Sequence, residues 1–147
     1  MDPANGLSLE QAIAAPLASR HLADWGVGEP VSFAYPYGDV GSPAKTLLAT
    51  RFKTVRALHH GLIADGADLN QAPAVGIEGE DGESVALKWL DRAHARKAWL
   101  ILYTHDVAPE PSQWGCTTGA LERLVDGALL AGFDVVTVAE GARRIGL

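Results

Sequence analysis

With 147 residues, 48% of them hydrophobic and 20% charged, the chain has the size and make-up of one folded domain with a real core, which excludes a disordered or low-complexity protein. A formal net charge of -6, with no Lys/Arg run longer than a pair, excludes a phosphate-binding surface for nucleic acid, and no apolar run approaches the roughly 20 residues that span a bilayer. The single cysteine, Cys116, excludes an intramolecular disulfide and a cysteine-based zinc cage, and with no basic segment followed by an apolar run at the N-terminus no signal peptide is expected, so the chain as written reads as cytoplasmic.

Ser8-Leu9-Glu10-Gln11 has the form of a capping box, and Leu9, Ile13 and Leu17 follow at helical spacing. Pro16 removes a backbone donor and kinks this helix, which is expected to end near Trp25-Gly26, with His21 and Asp24 facing solvent. Val31 to Tyr35 reads as a strand, closed by Pro36-Tyr37-Gly38-Asp39. Ser42-Pro43 then supplies an N-cap and a proline at the first helical position, and Ala44, Leu47, Leu48 and Phe52 keep the helical period. Lys53 to Leu58 is a second strand. His59-His60 follows, and neighbours on an extended chain point in opposite directions, so this pair reads as loop surface rather than as two metal ligands.

Residues 63–83 are rich in Gly, Asp, Asn and Glu, with a short apolar run at Ala72 to Ile77 that suits a brief strand. The acidic cluster Glu78, Glu80, Asp81 and Glu83 lacks the ligand spacing of a calcium loop and reads as a solvated turn. Ser84 can cap the next helix, whose apolar stripe is Ala86, Trp89, Leu90 and Ala93, opposite Lys88, Asp91, Arg92 and Arg96. Trp99 to Thr104 is a strand apolar on both faces, as in a sheet covered on both sides, and it delivers His105 and Asp106 to its carboxyl end. The plain reading of His105 is a hydrogen-bonded histidine at a strand end. The functional one is a titratable group where parallel α/β folds gather their sites. Thr117 or Thr118 caps a helix carrying Leu121, Leu124, Val125, Ala128 and Leu129, Gly132 stops it, Phe133 to Val138 is a last strand, and a short helix around Ala139 to Ile145 closes the chain. This alternation predicts an α/β fold with mainly parallel strands in one domain, residues 1–147.

Two stretches together resemble the polysaccharide deacetylase family (the NodB-homology domain, carbohydrate esterase family 4). Phe33-Ala34-Tyr35-Pro36-Tyr37-Gly38 is similar to its Arg-x-Pro-Tyr-Gly motif, and Leu100-Ile101-Leu102-Tyr103-Thr104-His105-Asp106 is similar to its last motif, an apolar strand ending in His-Asp. The resemblance implies a partial (β/α) barrel with its N-terminal strands missing, the chain being an N-terminally truncated domain. It implies metal-dependent hydrolysis of N- or O-acetyl groups on carbohydrate, with acetylated carbohydrate as the partner and a divalent metal, typically zinc, as the family's cofactor. Tyr37 would offer its backbone N–H to an oxyanion, Pro36 and Gly38 would shape that turn, and His105 would protonate the leaving amine. Tyr35, Ile101, Tyr103 and Asp106 would line the substrate site, with Asp106 either capping its loop or holding His105. Ala34 and Tyr103 depart from the family, which commonly has Arg and Leu there.

The family's Thr-Phe-Asp-Asp and His-x-x-x-His motifs are absent, and His21, His59, His60, His94 and His105 show no ligand spacing, so no metal site and no cofactor are identifiable in this chain. The expectation is therefore a deacetylase-like chain inactive by itself. A non-enzymatic module that binds a glycan or a protein, or a homo-oligomer formed by pairing an open sheet edge with another copy, is the alternative.

Overall fold

The computed structural model describes residues 21–145, so the capping box at Ser8 and the kink at Pro16 lie outside the described residues. Residues 21–24 are helical and turn out at Trp25-Gly26, where Gly26 takes a φ of +78°. The described residues fall into two compact units, one made of residues 21–58, 67–72 and 138–145, the other of residues 59–66 and 73–137.

In the first unit, β1 (Ser32–Ala34) pairs in parallel with β2 (Thr54–Arg56), Phe33 opposite Val55. Between them runs α1 (Ser42–Ala49), which starts as the sequence suggests with a proline in its first turn, although Gly41 rather than Ser42 takes the capping position. The helical period of Ala44, Leu47 and Leu48 lays α1 on the strands. Leu48, Val55 and Phe52 are buried with Tyr35, Ala44 and Ala57, and the Phe33 ring packs 5.2 Å from that of Phe52. Full burial of a side chain such as Leu48 contributes about 1.5–3 kcal/mol. Against this stands Thr54, fully buried, whose Oγ1 meets no hydrogen-bond partner among the described residues. The last helix of the described residues, α4 (Val138–Arg144), buries Gly141 and Ala142.

In the second unit, β3 (Val75–Gly76) pairs in parallel with β4 (Leu102–Tyr103). The expected strand from Trp99 is extended but divided between two partners. Trp99 exchanges hydrogen bonds of 2.9 Å with Ile63 in an antiparallel bridge, and the carbonyls of Ile101 and Tyr103 then accept from Val75 and Ile77. Two helices cover this sheet. In α2 (Gly82–Arg96) the buried stripe is Ala86, Leu90 and Ala93, with Lys88, Asp91, Arg92 and Arg96 exposed, as the sequence pattern requires. Its N-cap is Asp81, with Ser84 donating from Oγ to the Asp81 carbonyl, and Lys97 ends it in a left-handed conformation. In α3 (Thr118–Leu130) the Thr117 hydroxyl accepts from the Ala120 N–H at 3.1 Å, the predicted cap. At Gly127 α3 faces Leu87 and Leu90 of α2, and Arg123 grips Glu83 through two hydrogen bonds of 2.6 and 2.8 Å. Ile77, Ala86, Cys116, Ala120 and Leu124 form the core, with Leu102 against it.

The predicted strand Phe133 to Val138 forms no ladder among the described residues. Phe133 instead donates to the Ala128 carbonyl at the end of α3, and Val138 already belongs to α4. Alternating β-branched residues suit a pleated surface, but a strand exists only where a neighbour supplies the ladder. The architecture among the described residues is thus mixed helix and strand with small parallel sheets. No helix among them is long and apolar enough to cross a membrane.

Candidate functional site

Parallel register builds the site. Because Gly76 lies opposite Tyr103, two further residues along each strand bring Glu78 opposite His105, on the same face and at the carboxyl end of both strands. His105 Nδ1 accordingly lies 3.0 Å from Glu78 Oε1, while Thr104, on the alternate face, donates from Oγ1 to the Ile77 carbonyl at 3.1 Å. The Glu78 side chain is 21% exposed and that of His105 63%, so the carboxylate is sheltered and the imidazole open to solvent. A carboxylate on Nδ1 fixes the ring orientation and the tautomer of a neutral imidazole, leaving Nε2 as the nitrogen for chemistry. Gly76 leaves room between them, for a Cβ there would stand 3.0 Å from both Glu78 Oε2 and the Tyr103 hydroxyl oxygen. The rings of Tyr103 and Trp114 flank the imidazole, each with its centroid 6.4 Å away.

Asp106 takes the first of its two expected roles: it caps its loop. Its Oδ2 accepts from the Ser112 N–H at 2.9 Å and its Oδ1 from the Ser112 hydroxyl at 2.6 Å. Those two bonds, with the nearby His105 charge adding less, hold its carboxyl below the usual carboxylate range. The loop returns to its start, the Cys116 N–H donating to the Asp106 carbonyl at 2.9 Å and the His105 N–H to the Trp114 carbonyl at 3.2 Å. Cys116 is buried.

Ile101 is buried in the second unit, one turn of the pleat behind Tyr103, and is 4% exposed. The other expected site residues stand in the first unit. Tyr35 is buried in the core there, its hydroxyl donating to the Asn70 carbonyl at 3.0 Å, and burial, with the Asp68 charge behind it, pushes its phenol pKa up. Pro36, Tyr37 and Gly38 form a single turn of 3-10 helix in which Tyr37 takes left-handed angles (φ 57°, ψ 12°) and holds its ring 95% exposed. Gly38, at φ +69°, packs so closely on Leu58 that a Cβ would collide with that side chain. The structure therefore brings together His105, Asp106 and Tyr103, and places the Pro-Tyr-Gly turn in the other unit.

Glu78 is the residue that sequence reasoning missed. Its composition groups it with the acidic turn, although it directly follows the apolar run ending at Ile77, and that position is the available signal. Glu83, another member of the cluster, is held by Arg123, whose hydrogen bonds lower its pKa. His59 and His60 are exposed, in keeping with loop surface. Among the described residues no three His, Cys, Asp or Glu side chains converge, and the Asp106 oxygens are taken by Ser112, so these residues do not fit the divalent metal that the resemblance implies.

No protein-family model, no curated protein and no solved structure matches the chain.

Proposed function

We propose that this chain is a polysaccharide deacetylase-like protein whose His105–Glu78 pair receives an acetylated sugar, and that by itself it binds this ligand without completing hydrolysis. The observation that carries the reading is the 3.0 Å contact between His105 Nδ1 and Glu78 Oε1 at the open end of a parallel strand pair. The Glu78 carboxylate holds the imidazole at Nδ1, and Nε2, when it carries a proton, can donate to the nitrogen or oxygen of an acetyl linkage. When neutral, the same contact keeps the proton on Nδ1 and leaves Nε2 as an acceptor for a sugar hydroxyl or amide. The His-Asp motif resemblance supplies the substrate class. The missing Asp and His-x-x-x-His motifs supply the expectation of incomplete chemistry.

The test is a calorimetric titration with chito-oligosaccharide and with acetylated xylan, alongside an acetate-release assay with and without added zinc. The expected result is saturable binding that His105→Ala and Glu78→Gln weaken, with no acetate released. An absence of binding to either glycan sinks the reading, and stoichiometric zinc binding with turnover sinks the claim that the chain is catalytically incomplete.

A further inference from the structure

We infer that Trp114 is a stacking platform for a pyranose ring bound at the His105 site, and that Asp106 and Ser112 are positioning residues that hold this platform in place. The inference rests on the proposed function for its ligand class, but its support is the loop itself. Trp114 is large and 55% exposed, and it gives the core little in return for that exposure. Yet its backbone is fixed on both sides, its N–H donating to Ser112 Oγ at 3.2 Å and its carbonyl accepting from the His105 N–H at 3.2 Å. Ser112 is in turn fixed by the Asp106 carboxylate through its own N–H and hydroxyl. The residue after the indole, Gly115, is buried so tightly on Asp106 that a Cβ would meet its carbonyl oxygen at 2.5 Å and its Cγ at 2.6 Å.

The result is a closed hydrogen-bonded circuit that leads from His105 round to the indole and back. It secures an aromatic face 6.4 Å from the imidazole, inclined by 53°. An apolar face beside a sheltered carboxylate and an open imidazole matches a ligand that is itself two-sided. A pyranose has that character, with axial C–H groups on one face and hydroxyl or acetamido groups around its edge. Aromatic rings with polar groups beside them suit ligands that are part apolar and part hydrated. The -6 net charge makes a nucleic-acid base the poorer fit.

The experiment titrates the full chain with chito-oligosaccharide, reading both calorimetry and tryptophan emission. Trp114→Ala is expected to weaken binding about tenfold or more and Trp114→Phe, which keeps an aromatic face, by about threefold. Ser112→Ala is expected to weaken binding while the ligand-induced emission change persists with reduced amplitude. Trp25→Phe, which removes an exposed indole in the other unit, leaves both affinity and emission change intact. If wild type and Trp114→Ala bind equally while His105→Ala does not bind, the platform is refuted and the proposed function stands. If wild type binds no acetylated glycan, the proposed function falls and the platform with it.

Discussion

Replacing Gly115 by alanine tests the loop circuit most directly. A Cβ at this position would stand 2.5 Å from the Asp106 carbonyl oxygen and 2.6 Å from Asp106 Cγ, where ordinary contact is 3.4–4 Å. About 1 Å of separation must therefore be found on each side. The side-chain carbon could swing away, but only by giving up the Ser112 hydrogen bonds. The carbonyl cannot swing, because it accepts from the Cys116 N–H at 2.9 Å as part of the loop's return. Overpacking of this kind costs typically 1–3 kcal/mol, and with main chain as the opposing atom the upper half of that range applies, about 2–3 kcal/mol. For a chain of this length that lowers the melting midpoint by roughly 4–12 °C. Thermal unfolding followed by circular dichroism measures it, with Gly119→Ala as the contrast. There the new Cβ meets only the far end of Arg123, at 3.1 Å, and helix propensity favours alanine, so no loss is expected. A Gly115→Ala midpoint within 1 °C of wild type would mean that the Asp106–Gly115 approach is not a constraint.

Three further outcomes follow from the same geometry. Thr54→Val removes a fully buried hydroxyl that has no partner among the described residues and keeps the side-chain shape, so a gain of about 1 kcal/mol is expected in urea unfolding, and a loss would show that the hydroxyl is satisfied in solution. Tyr37→Asn places a residue tolerant of left-handed angles where a 95% exposed ring contributes no packing, and about 0.5–1 kcal/mol of stabilisation is expected; destabilisation would show that the ring is packed in solution. Asp106 has a folded-state pKa below its ordinary 3.8, so its contribution is fully present above that value and disappears as pH falls through the lowered one. Following the Ser112 amide resonance against pH should give a midpoint below the ordinary value that Ser112→Ala moves upward, and an unchanged midpoint would assign the shift to another cause.

Local signals were the legible part of this sequence. Pro43 in the first turn of α1, the Thr117 cap of α3 and Ala86, Leu90 and Ala93 of the α2 stripe each depend on residues within a few positions of one another, although Gly41 takes the cap expected of Ser42 and Trp89 of the same stripe is only half-buried. Strand lengths were less legible, because Trp99 to Tyr103 meets two different partners and Phe133 to Val138 meets none among the described residues. Glu78 illustrates the same limit in the site. Its contact with His105 spans 27 positions and is fixed by the register of Gly76 on Tyr103, which no local pattern carries. Tyr35 is the converse case. An aromatic beside a Pro-Tyr-Gly turn reads as ligand-facing, but strand alternation turns it inward, where Asn70 takes its hydroxyl.

The order in which the two units acquire their parts has a consequence for synthesis. The second unit draws on nothing beyond residue 137, whereas the first draws on residues near both ends of the described chain and is completed only by α4, with its buried Gly141 and Ala142. On a ribosome, which releases the chain from its N-terminus, the later-starting unit has all its sequence first, and the earlier-starting one must wait for the final helix to emerge. A chain ending at residue 137 and released from the ribosome should therefore protect Leu124 and Ile77 from proteolysis while Leu48 and Val55 stay cleavable.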